Sequence, residues 1–186
     1  MQTVLVLVLF GAVFGLVHSQ EQDQTAVLMD LQTRVQNLET APAQQQNPHV
    51  AFCAALYADT EEGNYGPFNS LTTMVFKNVL TNDGNGYNPA TGVFQASVKG
   101  MYSFHVRLFS TFSPSPNLRA SLKKNTQSLG YILDEASSDT HDSSSLSVIV
   151  PLEVGDSVFV ELAARKSVYE NRGRHNNFCG FLIYPM

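Results

Sequence analysis

From Val50 to the carboxyl end, apolar and polar residues alternate with a period of two. Val50, Phe52, Ala54 and Leu56 share one parity. So do Tyr102, Phe104, Val106 and Leu108, with Ser103, His105 and Arg107 on the other. Leu118, Ala120 and Leu122 repeat the pattern, as do Leu146, Val148, Val150 and Leu152, and then Val158, Val160 and Leu162. Successive side chains of a strand point to opposite faces, so this period predicts strands with one buried face. The closing run FCGFLIYPM is apolar at both parities, which predicts a central strand covered on two sides. Between the runs lie turn formers: NDGNG at 82–86, SPSPN at 113–117 and VGD at 154–156. The pattern predicts an all-β sandwich or jelly roll, with room for about eight to ten short strands over 50–186.

Ahead of Pro42 the period is different. Leu28, Leu31, Val35 and Leu38 are spaced three, four and three, which makes an a/d seam on a helix. Asp30 and Arg34 sit four apart and can pair on its surface. Pro42 stops the helix. Two heptads are too few to hold a coiled coil alone in water. The seam over 20–42 therefore predicts a short oligomerising stalk, supported by assembly of the domain that follows. A single amphipathic helix packed on its own domain is the competing reading. Residues 43–49, AQQQNPH, are polar and aperiodic and read as a linker to a head at 50–186. The first twenty residues, MQTVLVLVLFGAVFGLVHSQ, are apolar from Val4 to Val17, a run short for a membrane span. With Val17 and Ser19 at the −3 and −1 positions, residues 1–19 read as a signal peptide. An amino-terminal membrane anchor is the alternative. The expected location is secreted and extracellular, with no membrane span.

Composition narrows the function more than the fold. The 186 residues carry a net charge of −5, which argues against nucleic acid and anionic lipid as partners. Two cysteines, Cys53 and Cys179, permit a disulfide but make no disulfide scaffold. No G-x-S-x-G, H-E-x-x-H or P-loop occurs, and the five histidines lack metal-ligand spacing. We expect no enzyme.

Two loops hold candidate chemistry. DEASSDTHDSSS carries Asp134, Glu135, Asp139 and Asp142, hard oxygen ligands suited to calcium but not spaced as in an EF-hand. A solvated acidic loop is the simpler reading of the same residues. YENRGRHNN places Arg172, Arg174 and His175 around Gly173, a basic cluster able to receive phosphate or carboxylate through forked hydrogen bonds. It precedes the last strand and should lie at one end of the sandwich. Phe181, Ile183 and Tyr184 are candidates for the core or for contact with a neighbouring chain.

Taken in order, VAFCAAL (50–56), GPFNSLTTMVFKNVLTNDGNGYNPATGVF (66–94), VKGMYSF (98–104), LKKN (122–125), LEVGDSV (152–158) and NNFCGFLIYP (176–185) resemble the globular head of the complement C1q family, which shares its jelly roll with the tumour necrosis factor ligands. The segment from Gly66 is most similar to secreted fish complement C1q-like proteins, and the last strand also resembles cerebellins. The resemblance implies a ten-stranded jelly roll that trimerises and works by binding. The alternation and the spacing of aromatics, read from the residues themselves, place Phe52, Phe94, Tyr102, Phe104, Phe178 and Phe181 in the core. No G-X-Y collagen repeat is present, which departs from the complement pattern. The small residue that usually follows Phe in the first and last strands is Cys53 and Cys179 here. Those strands are antiparallel neighbours in the family, so the resemblance implies a Cys53–Cys179 bond. Buried thiols and bonds between chains are the other readings.

The function expected from the resemblance is a secreted homotrimer, or a heterotrimer with related chains. It would recognise microbial surface glycans, lipopolysaccharide or other multivalent ligands in innate immunity. No cofactor is required, and calcium has a place at the acidic loop or trimer apex, as in some family members. A cerebellin-like or adipokine-like ligand that clusters a cell-surface receptor is the alternative. A matrix-forming head that builds lattices is a third reading.

Overall fold

A computed structural model describes residues 24–37, 48–111, 118–134 and 141–186, with His141 and Asp142 through their backbone only. The chain divides between Gln46 and Asn47. In the first unit, a helix over 24–37, α1, holds Leu28, Leu31 and Val35 with their side chains exposed. Asp30 and Arg34 pair along it at 3.9 Å, and Thr33 Oγ1 donates to the Met29 carbonyl. Leu38, the fourth seam position, lies outside the described residues, as do residues 1–23 and 38–47.

The second unit is β throughout. In chain order its strands are β1 (Ala51–Ala55), β2 (Gly63–Tyr65), β3 (Thr72–Thr73), β4 (Asn78–Asp83), β5 (Tyr87–Asn88), β6 (Val93–Gln95), β7 (Gly100–Thr111), β8 (Leu118–Lys124), β9 (Gln127–Asp134), β10 (His141–Leu152), β11 (Ser157–Leu162), β12 (Val168–Glu170) and β13 (Asn177–Pro185). One sheet runs β10-β7-β13-β1-β4. The other runs β5-β6-β11-β8-β9, with β3 added beside β11. β12 and β2 form a separate ribbon. Every pairing is antiparallel. This is a jelly-roll sandwich. The strand count exceeds ten because pieces of two or three residues stand as separate strands.

The core lies between the sheets and follows the period of two. Along β7, Tyr102, Phe104, Val106 and Leu108 are buried, and His105 and Arg107 are exposed. Leu118, Ala120 and Leu122 of β8 and Val158, Val160 and Leu162 of β11 are buried from the opposite sheet. Phe52 is the centre of an aromatic cluster. Its ring stacks on Tyr87 at 4.9 Å and on Phe94 at 5.0 Å, and Phe178 meets it edge-on at 4.8 Å. Offset and edge-on pairs of this kind suit the ring quadrupole. Tyr87 keeps its hydroxyl satisfied: it donates to the Phe76 carbonyl at 3.0 Å and accepts the Phe76 amide at 3.1 Å. Burial pushes its phenol up to about 12.

The turn at 82–86 is built by Asn82, whose side chain accepts the Tyr87 amide at 3.1 Å and donates to its carbonyl at 2.9 Å. Gly84 and Asn85 take positive φ there. Gly92 does so as well, and any Cβ on it would strike the Met74 carbonyl, so the position admits no side chain.

Phe181 corrects the expected core. It is 51% exposed. β13 buries Phe178 and Gly180, and Phe181 lies an odd number of residues from both, on the other face of the sheet. The last strand is indeed central, between β7 and β1, yet only one of its faces meets the core.

Candidate functional site

The face of the five-stranded sheet turned away from the core is fixed by register. One row across it reads Asp83, Ala51, Phe181, Ser103 and Ile149. The next reads Thr81, Cys53, Cys179, His105 and Ser147. Ile149 is 68% exposed, and Ile183 and Tyr184 are exposed further along β13. An irregularity between Leu182 and Tyr184 lets the chain present both. A cleft at this end is lined by His49, Asp83, Phe181, Ile183 and Tyr184. Large apolar side chains placed together on a solvent face mark a contact surface.

Cys53 and Cys179 stand directly opposite each other on the same face and are joined by a disulfide across 126 residues of sequence. Beside them, His105 Nδ1 and Ser147 Oγ lie 2.9 Å apart in a hydrogen bond. The face is therefore apolar at Phe181 and Ile149 and polar at His105, Arg107 and Ser147. The disulfide runs across its middle.

The basic loop is a different structure from the open cluster its sequence suggests. Arg174 is held by Asp59, with Nε and Nη2 donating to the two carboxylate oxygens at 2.8 and 2.6 Å. That fork draws the Asp59 carboxyl below its ordinary range and raises the Arg174 guanidinium. The His175 ring packs against Phe109, with centroids 4.7 Å apart. Arg172 is exposed and has no ion pair among the described residues. Of the three candidates, only Arg172 thus offers its guanidinium outward without an internal partner.

What shapes the loop is Glu170, which the sequence reading left out. Its side chain is buried at 1% exposure. The carboxylate accepts the amides of Asn171 at 3.0 Å, His175 at 2.8 Å and Asn176 at 2.9 Å, and the Asn176 side-chain amide at 3.2 Å. Asn176, itself buried, accepts the Phe109 amide at 2.8 Å and donates to the Tyr169 carbonyl at 2.7 Å. A buried carboxylate at the neck thus ties both ends of the loop to β7 and β12. A signal existed: Val168, Tyr169 and Glu170 alternate buried, half-buried, buried, so the period of two places Glu170 inward. The charged neighbours masked it.

The acidic loop splits between described and undescribed residues. Asp134 ends β9, and Asp142 pairs with Ser110 through the backbone. Glu135 and Asp139 lie outside the described residues. Among the described residues no group of three or more His, Cys, Asp or Glu could hold a metal. No helix among them is long and apolar enough to cross a membrane.

Comparison with known proteins agrees with this architecture. Among solved structures, the globular domain of zebrafish complement 1qA protein matches at 25% identity with a TM-score of 0.58, over 74% of this chain and 99% of that one. Eiger TNF from S. frugiperda matches at 13% identity and a TM-score of 0.59, over 75% and 95%. Murine APRIL matches at 13% identity and a TM-score of 0.54, over 72% and 98%. The last two speak for the fold alone. The family model of the C1q domain matches residues 51–183, from the start of β1 into the end of β13, and the chain belongs to the C1q domain family.

Proposed function

We propose that the chain is a secreted, homotrimeric recognition protein of innate immunity that binds microbial surfaces or other multivalent ligands by avidity. C1q domains are in general binding modules rather than enzymes, and typically extracellular. The disulfide suits that setting. The observation that carries the proposal is a pair of apolar surfaces left uncovered. One is the Phe181–Ile149 row of the head, and the other is the Leu28, Leu31 and Val35 seam of α1. Each is too short or too small to be stable as a lone contact, and both are supplied once per chain. Closed rings of identical chains bury such surfaces together. Three heads then present three copies of one weak site, and a multivalent target gains affinity with no new contact. The mechanism requires no cofactor.

The loop carrying Arg172, Arg174 and His175 contributes to binding anionic groups, with Arg172 as the contacting side chain. Arg174 and His175 hold the loop in place through Asp59 and Phe109.

The test is the solution mass of residues 20–186 by light scattering, with and without reductant. A mass of about three chains supports the proposal, and a monomer overturns the avidity mechanism. Retention on whole bacteria and on lipopolysaccharide is then compared for Arg172→Ala and the Arg172→Ala/Arg174→Ala pair. Unchanged retention in both would remove the loop from the binding surface. Capture of a single cell-surface receptor, with no retention on bacteria, would instead favour the receptor-clustering role of cerebellin-like ligands.

A further inference from the structure

We infer that the outward face of the six-stranded sheet is a binding site for acidic saccharides. The inference deepens the recognition reading and rests on it for its biological sense, but not for its valency.

The site follows from register. Glu161 of β11, Ser121 of β8 and Tyr131 of β9 lie side by side in one row, and Ala163, Arg119 and Leu133 form the next. Leu118, Ala120 and Leu122 fill the core, so Arg119, Ser121 and Lys123 face away from it. Leu71, just before β3, closes the far side. Together they line an open cleft of about 390 Å³, inside the range of about 300–1,000 Å³ usual for small-ligand sites.

Its chemistry selects the ligand. Tyr131 is 60% exposed and Leu71 is 63% exposed, so both present apolar surface to a ligand in the cleft. The ring of Tyr131 offers an apolar face with a polar tip, suited to the C–H face of a pyranose. Small residues, Ala163 and Ala164, and the Ser121 hydroxyl make the floor between the apolar walls. Three basic side chains, Arg119, Lys123 and Lys166, line the cleft against one carboxylate, Glu161. Lys123 and Glu161 approach only to 3.9 Å, a loose pair. Arg119 and Lys123 set against Glu161 alone already make the cleft locally positive in a chain whose net charge is −5. Arg119 has no ion pair among the described residues, and its planar fork matches a carboxylate. A ring with an apolar face and an attached carboxylate satisfies both halves of the cleft. A neutral sugar would leave the cations unused, and a bare anion would leave Tyr131 and Leu71 in water.

The cleft and the Phe181–Ile149 row lie on opposite sheets, so assembly through one leaves the other open. In a trimer three clefts would face outward.

The experiment is titration of residues 20–186 with an oligogalacturonate trimer, with a neutral malto-oligosaccharide of equal length, and with inorganic phosphate. The acidic trimer should bind at least about tenfold tighter than the neutral one. Tyr131→Ala and Arg119→Gln should each weaken it about tenfold or more, and Tyr131→Phe should not. Both reduced variants are surface changes, and an unaltered melting temperature confirms their fold. Equal affinity for the acidic and neutral trimers would overturn the inference. So would phosphate competing as well as the sugar, insensitivity to Tyr131→Ala, or no binding at millimolar ligand. Titration with a monovalent ligand reads one head, so its failure leaves the trimer mass and the avidity proposal standing, and a monomeric mass leaves this cleft testable.

Discussion

Asp156 shows how much a single half-buried carboxylate can organise. Its Oδ1 accepts the Asn125 side-chain amide at 2.8 Å, and its Oδ2 accepts the Glu153 amide at 2.8 Å and Lys124 Nζ at 3.0 Å. The Asn125 bond, with those from Glu153 and Lys124, draws the carboxyl from its ordinary 3.8 to about 2. A group bound more acidically in the folded state stabilises it above the unfolded value, and that stability fades as pH falls through the folded value. Asp156 therefore contributes fully above about pH 4 and loses its contribution between there and about pH 2. Asp156→Asn should lower stability near neutral pH by about 1–2 kcal/mol. It should also flatten the acid limb, read as urea midpoints from pH 6 to 2. Glu170 is the buried counterpart. Glu170→Gln turns an acceptor of four hydrogen bonds into a group with a donor amide aimed at donor N–H groups. A loss of about 2–3 kcal/mol is expected, with faster amide exchange at His175 and Asn176. The VGD turn was legible, since Gly155 and Asp156 announce it, but the Asn125 partner thirty-one residues away was not. Glu170 was legible only by parity. The same parity, applied strictly to β13, would have set Phe181 outside.

Strands with a full buried face were readable, and those without one were not. β1, β7, β8, β10, β11 and β13 each show the period of two, because one row of their side chains enters the core. β4 contains no buried residue, as an edge strand can, so its NVLTND gives no alternation. β9 buries only Ile132, and Gly130 is packed by Leu146 from β10 instead of by a side chain of its own. β2, β3, β5 and β6 are two or three residues long, too short for any period, and β12 shows it only as the single step from Val168 to Glu170. Long-range pairing came from the family resemblance, since periodicity states which face is buried but never which strand lies alongside. The β1–β13 pair is the case with a chemical readout. Its disulfide closes a loop of 126 residues, for which chain entropy gives an upper figure of about 4–5 kcal/mol. Alkylation of the unfolded, unreduced protein should add no label, and after reduction two per chain. Cys53→Ser/Cys179→Ser should lower the denaturation midpoint while keeping the β spectrum, because the register is also held by the Phe52 cluster. Two labels without reduction would show the thiols free.

At the scale of the whole molecule, the question is which uncovered surface would drive the proposed assembly. α1 supplies about two heptads, below the length at which a helix pair is stable alone in water. The head face is wider, but its apolar part is limited to Phe181, Ile149, Ile183 and Tyr184 among polar neighbours. If the two act together, each raises the effective concentration of the other, and loss of either weakens the assembly more than its own area suggests. Phe181→Asp places a charge in the middle of the Ala51–Phe181–Ser103 row. Burying it without a partner costs several kcal/mol per copy, and closed symmetry repeats that cost in every chain. The variant should be a folded monomer by light scattering at micromolar concentration, with an unchanged melting profile, because the side chain is exposed in the isolated head. Leu31→Asp in α1 should produce a milder result, a mass that falls toward one chain only on dilution. If Phe181→Asp keeps the parent mass while Leu31→Asp abolishes it, assembly belongs to the helix, and the sheet face is free to meet another protein. The parent mass is expected to be unchanged in EDTA, since neither surface contains a metal-ligating group of three among the described residues. A mass that falls in EDTA would place a divalent ion in the assembly.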